Sequence, residues 1–223
     1  MKLVHPDMEG QIVLNSWESI EWIIESPVLL AKVIQELSSQ INGDNGKFVL
    51  SEREKILSIP SNIELVINPF SIDINDRKIL NKLYGKLEQT AFGEEFYIKT
   101  QEMFEKFQEY FFLLEQTSKF MLETNTQADP LAWFKAFGLK FANNDVTLLE
   151  RLCQYIFVLA ELLKKQVIVF VQLQSYLSED QIMELEKMAA YYEISLLFLE
   201  NIQKHSSRKR KQYIIDIDGC EIF

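Results

Sequence analysis

Residues 164–181 read KKQVIVFVQLQSYLSEDQ. Two lysines lead into an apolar run, Val167 to Val171, and a polar turn then opens a helix near Ser178, a favoured N-cap residue. The run reads as a buried strand, and strand-to-helix crossings of this kind are where doubly wound α/β proteins commonly seat ligands. This crossing contains no glycine. It therefore lacks the backbone freedom that a phosphate-wrapping loop needs.

The same alternation of strand and helix extends upstream. QIVLNS (11–16) and SIEWIIES (19–26) read as strands, and Ser26-Pro27 caps and opens a helix through about Gln40. NGDNG (42–46) is a turn cluster before the short strand KFVLSE, and IELVINP (63–69) is a further strand. Asn75 is the expected cap of a helix running to about Phe92. Downstream come a helix over 178–192, the strand ISLLFLE (194–200), a basic loop and a last strand, QYIIDID.

Between these parts the texture changes. Residues 94–124 hold no Gly or Pro, and Tyr97, Thr100, Phe104, Phe107, Phe111, Leu114, Ser118 and Met121 recur at alternating spacings of three and four. That period predicts one long helix with a coiled-coil-like stripe. Asp129-Pro130 opens another helix, ending at Gly138, and residues 146–165 form a third that is apolar around most of its circumference. The expected architecture is α/β, a mixed-sheet head domain (1–92 and 139–223) with an inserted long-helix leg domain (93–138).

Composition bounds the function. Of 223 residues, 48% are hydrophobic, with sixteen Phe, and only seven Gly and five Pro, so a large core is supported and a fibrous or loop-rich chain is excluded. The formal charge of −10 disfavours generic nucleic-acid binding. However, Lys204, Arg208, Lys209, Arg210 and Lys211 crowd into KHSSRKRK without an intervening acid, a segment able to meet phosphates. Cys153 and Cys220 are too few for a disulfide framework or a zinc knuckle. MKLVHPDMEG has no signal-like apolar stretch, and no run approaches the ~20 apolar residues of a membrane helix, so a soluble cytoplasmic protein is expected.

Catalytic patterns are missing. Gly46-Lys47-Phe48 and Gly85-Lys86-Leu87 lack the hydroxyl of a P-loop, and the two histidines, His5 and His205, accompany no nucleophile elbow. The expectation is a protein without enzymatic activity and without bound nucleotide. Glu115, Glu123 and Asp129 gather near a helix-to-helix junction, where oxygen ligands could take calcium, although their spacing is not an EF-hand.

Several short stretches, in this order, resemble the accessory spacer-acquisition protein of type II-A CRISPR systems, the Csn-two family. They are Asp73-Ile74-Asn75, Phe137-Gly138-Leu139-Lys140, the Lys164-Lys165 strand, Tyr176-Leu177-Ser178-Glu179-Asp180, Phe198-Leu199-Glu200 and Gln212-Tyr213-Ile214-Ile215-Asp216-Ile217-Asp218. The resemblance spans nearly the whole chain. It implies a head-and-leg subunit, a homotetrameric ring that holds double-stranded DNA ends without sequence preference, and no nuclease or ATPase activity. It also implies calcium that stabilises the ring, and work alongside the Cas integrase pair and the Cas effector nuclease. Lys135, Lys140, Lys164 and Lys165 are then candidates for the DNA-facing wall.

Two features depart from the family's pattern. Around 115–130 the family is densely acidic, whereas Lys119, Phe120 and Met121 stand here among the carboxylates, and fewer carboxylates mean weaker calcium binding. The basic segment 204–211 matches none of the family's motifs. Two other readings of the residues remain: a scaffold that binds only proteins, and a degenerate P-loop-like protein that kept its sheet.

Overall fold

A computed structural model describes residues 1–142, 146–204 and 210–222. The chain divides into two compact units, Met1–Ile74 with Asn144–Phe223, and Asn75–Asn143.

The first unit begins with β1 (Lys2–Val4), β2 (Ile12–Val13) and β3 (Ile20–Ile24), then α1 (Pro27–Ile41), β4 (Val49–Glu52), β5 (Lys55–Leu57), the single turn α2 (Ile59–Asn62) and β6 (Ile63–Val66). Ser26 caps α1 by accepting the Leu29 N–H, with Pro27 in the first turn. The crossing from β3 to α1 is thus only Glu25 and Ser26 long.

The second unit holds α3 (Arg77–Ala91), α4 (Tyr97–Thr117) and α5 (Pro130–Ala136). Asp76, not Asn75, caps α3. Asn75 instead makes a reciprocal pair with the Phe141 backbone, donating at 3.2 Å and accepting at 2.9 Å. The long helix stops at Thr117, short of the expected residue 124. The Thr117 hydroxyl bonds the Leu114 carbonyl, and Ser118 turns extended, so the polar run beyond leaves the helix. Tyr84 of α3 donates to the Leu139 carbonyl at 2.6 Å, and Phe107 of α4 packs on Trp133 of α5 at 5.4 Å.

The chain then returns to the first unit through α6 (Leu148–Val158), β7 (Val167–Val171), α7 (Glu179–Tyr191), β8 (Ser195–Glu200), β9 (Lys211–Ile215) and β10 (Glu221–Ile222). α6 continues as a π-helical turn over Leu159–Leu163 and ends where Lys164 takes a left-handed conformation, φ 54°. Four short strands form an antiparallel sheet in the order β2-β1-β4-β5. The main sheet runs β10-β9-β3-β8-β7-β6, parallel from β9 to β6 and closed by antiparallel β10.

Strand period 2 explains why both faces of this sheet are covered. Val167, Val169, Leu197 and Leu199 enter one core with Trp22, Val33, Leu37 and Leu50. Ile168, Phe170, Leu196 and Phe198 enter the other, under α6 and α7, with Leu152, Ile156, Ile182 and Leu185. The fold is mixed α/β. Among the described residues no helix is long and apolar enough to cross a membrane.

Candidate nucleic-acid interface

The paired lysines at the start of β7 have opposite fates. Lys164 occupies the left-handed turn and is exposed. Lys165 is buried: its ammonium donates to the Pro60 and Ile63 carbonyls at 2.7 and 2.6 Å and pairs with Glu64 at 3.2 Å. With a side chain only 2% exposed, it is committed to the β6–β7 junction and is not a wall residue. Tyr155 holds the other oxygen of Glu64 at 2.9 Å. Lys165→Met is accordingly expected to cost about 3 kcal/mol in chemical denaturation, because two carbonyls and a carboxylate lose their donor. A loss below about 1 kcal/mol would mean that the ammonium is solvated and Lys165 is not committed to the β6–β7 junction.

Lys135 lies exposed in the last turn of α5, where its charge also suits the helix C-terminus, and Lys140 is exposed beyond it. Lys204 is exposed, with its ammonium 3.3 Å from the Ser175 hydroxyl. Lys211 is exposed and sits 5.0 Å from the Tyr213 ring centroid. Arg208 and Lys209 lie outside the described residues.

Arg210 looks equivalent to its neighbours in sequence but is not a surface cation. Its guanidinium, 5% exposed, contacts Glu186 at 2.6 Å, Glu179 at 2.7 Å and Glu21 at 3.1 Å. Burial works against its charge, but the bonds to Glu186, Glu21 and Glu179 more than compensate and raise its pKa. Register explains the placement: Lys211 stands opposite Ile20 and Gln212 opposite Glu21, so the residue before β9 reaches across to α7. Glu21 also accepts amide hydrogens from Gln174 and Gln212, both at 2.7 Å.

Glu200 closes β8 at the carboxyl edge of the parallel strands. It is 2% exposed and accepts the Gln174 N–H at 3.1 Å. Burial pushes its pKa up to about 7, and Glu21 adds to the rise against the Gln174 N–H and Lys204. Sequence reading missed Glu21, Glu179, Glu186 and Glu200. A charge inside the apolar run IEWII was the available signal for Glu21.

Glu115, Glu123 and Asp129 line one cavity of about 860 Å³ in the second unit, together with Phe107, Phe111 and Trp133. Two of the three are already engaged: Glu115 accepts the Leu122 N–H at 3.2 Å, and Asp129 caps α5 through the Ala132 N–H at 2.9 Å. No group of three His, Cys, Asp or Glu that could hold a metal occurs among the described residues. These carboxylates therefore do not fit a calcium site within one chain, since calcium takes six to eight oxygens.

Known proteins share this chain's pattern. The family model for the CRISPR-associated protein Csn2 matches residues 40–219. A Csn2 protein of Enterococcus faecalis is 25% identical over 184 residues, 81% of each chain. A Csn2 protein of Streptococcus agalactiae is 28% identical over 221 residues, 98% of this chain and 96% of the other. The crystal structure of Stu0660 of Streptococcus thermophilus superposes with a TM-score of 0.59 at 12% identity, over 97% of this chain and 74% of that one, a likeness of fold. The matched segment runs from the end of α1 to the turn after β9, through both units, and the chain belongs to the CRISPR-associated Csn2 family.

Proposed function

We propose that this chain binds double-stranded DNA ends without sequence preference, as a homotetrameric ring, in spacer acquisition by type II-A CRISPR immunity. It works in the cytoplasm with the Cas integrase pair and the Cas effector nuclease, and it catalyses no reaction itself. Family membership over residues 40–219 is the observation that carries the reading. Lys135, Lys140, Lys164, Lys204 and Lys211 support it, as exposed cations on a chain of net charge −10. Their neutralisation by phosphate would release counterions, and a closed ring would retain a duplex topologically. The two-residue crossing from β3 to α1 supports a sheet that works without nucleotide. Calcium is assigned no step.

The test compares linear and closed circular duplex of one sequence over a salt series. Linear DNA is expected to bind at least about tenfold more tightly, with affinity falling steeply with salt. Replacing Lys135, Lys140 and Lys164 together by Gln should shallow the log–log salt slope by about 0.9 for each phosphate no longer neutralised. Equal retention of both topologies would end the ring reading.

The aromatic-lined cavity of the second unit favours a second reading, a protein-binding scaffold within the adaptation machinery. Aromatic surface of that kind is typical of protein contacts. A chain that ignored DNA at low salt but co-purified with the Cas integrase would fit it.

A further inference from the structure

We propose that the carboxyl edge of the parallel strands in the first unit carries a stacking surface for unpaired bases at a DNA strand end, formed by Phe70 and Tyr176 between Arg151 and Lys204. The inference rests on the DNA-end reading and deepens it.

The two rings meet edge to face, 5.0 Å between centroids at 79°, yet they remain 54% and 50% exposed. Hydrogen bonds fix the backbone under both rings. Phe70 lies in a 3₁₀ turn capped by Asn68, whose side chain accepts the Phe70 N–H at 3.0 Å, and the preceding Pro69 is buried. Its carbonyl accepts the Arg151 guanidinium at 3.3 Å. Tyr176 follows the glycine-free crossing after β7. There Gln172 takes a left-handed conformation, Leu173 is wholly buried, and the Tyr176 N–H bonds the Leu173 carbonyl at 3.0 Å. Glu200 fixes the middle of the same turn through the Gln174 N–H. Two touching rings are therefore held on hydrogen-bonded turns with apolar surface facing water, where a ligand with flat apolar faces can meet them.

The flanking charges select the partner. Arg151 touches the Phe70 end, and Lys204 touches Ser175, the residue beside Tyr176. Neither forms an ion pair among the described residues. Protein-docking centres enrich arginine but deplete lysine, so Lys204 beside Tyr176 is the charge that disfavours one. Cations beside open rings fit a polyanion that carries flat π faces, which is single-stranded nucleic acid. A duplex hides its base faces in its own stack except for the outer face of its terminal pair, and unpaired terminal bases, free to rotate, fit two rings set edge to face better than that paired face does. Stacking of this kind tolerates any base, in keeping with binding that ignores sequence.

The test uses a duplex with a short 3′ overhang containing 2-aminopurine, the blunt duplex of the same sequence, and a free single strand with the same probe. The wild-type chain is expected to bind the overhang duplex about tenfold more tightly than the blunt one and to quench the probe. The double variant Phe70→Leu, Tyr176→Leu keeps apolar bulk without π faces; it should lose the preference and the quenching while keeping its melting temperature and blunt-end affinity. Tyr176→Phe should retain both signals. Arg151→Gln should shallow the salt slope for the overhang duplex alone. No overhang preference in the wild type, unchanged quenching in the leucine variant, or equal loss on blunt and overhang duplexes would each overturn the proposal. If the wild type bound neither duplex, the ring reading would fail by itself. The single strand would then decide, with quenching by wild type but not by the leucine variant upholding the surface and no quenching overturning it.

Discussion

Arg210→Ala is expected to lower the unfolding free energy by about 3–5 kcal/mol, the usual scale for removing one partner of a buried ion pair. Three carboxylates converge on this one guanidinium, but they do not weigh equally. Glu179 is 41% exposed, so water takes over its share when Arg210 is lost. Glu21 is 3% exposed and Glu186 17%, and these would be left as under-compensated anions beneath α7. Gln174 and Gln212 would still donate to Glu21, and the Ser19 hydroxyl to Glu186, so the site is not stripped bare. Arg210→Lys should fall between, because an ammonium keeps the charge but not the planar fork that reaches three directions. A double variant separates charge from packing. Arg210→Met combined with Glu21→Gln removes cation and deepest anion together, and should recover more than half of the loss. Urea midpoints at constant m-value measure all three. A loss below about 1 kcal/mol for Arg210→Ala would mean that the network is solvated and the residue belongs with the surface cations.

How far the sequence is legible follows from what each feature depends on. KKQVIVFVQLQSYLSEDQ declares its strand and its helix start because both are local. Val167, Val169 and Val171 go to one face and Ile168 and Phe170 to the other by strand period alone. Ser178 makes the capping box with Gln181, exchanging bonds at 3.3 and 2.9 Å. The fate of Lys165 against Lys164 is not local. It depends on a left-handed turn at a non-glycine residue and on two carbonyls, of Pro60 and Ile63, supplied from far upstream. Arg210 is hidden for the same reason, since within KHSSRKRK only sheet register singles it out to face Glu21. The end of α4 is illegible because apolar period continues through Met121, while the side-chain competition at Thr117 and Ser118 ends the helix first. Phe70 and Tyr176 stand far apart in sequence and carry no joint signal; parallel pairing of β6 with β7 brings their turns together.

Glu200→Gln is expected to stabilise the protein at neutral and alkaline pH and to flatten its pH profile. The Glu200 carboxyl titrates near 7 in the folded chain against an ordinary glutamate value of 4.5, chiefly because burial disfavours its charge. A folded-state pKa above the unfolded one means that stability from this group is complete below about pH 4.5. It declines as pH rises, because the unfolded chain ionises first, and it levels off once pH passes about 7. A rise of that size corresponds to about 3 kcal/mol. Glutamine has the same shape, and its amide oxygen can still accept the Gln174 N–H, but it carries no charge beside Glu21. Wild type should therefore lose about 3 kcal/mol between pH 4.5 and 8 relative to the variant, and at pH 8 Glu200→Gln should be the more stable of the two by about 2–3 kcal/mol. Thermal or urea unfolding at several pH values reads this difference, and parallel profiles for the two chains would sink it. The same substitution separates two roles that Glu200 combines. As a hydrogen-bond acceptor it holds the turn that presents Tyr176, and glutamine preserves that role. As an ionised acid it strains the carboxyl edge against Glu21, and glutamine removes that strain. The variant should thus gain stability while its quenching of an unpaired terminal base stays at the wild-type level, because base stacking depends on the position of the turn and not on the charge beneath it.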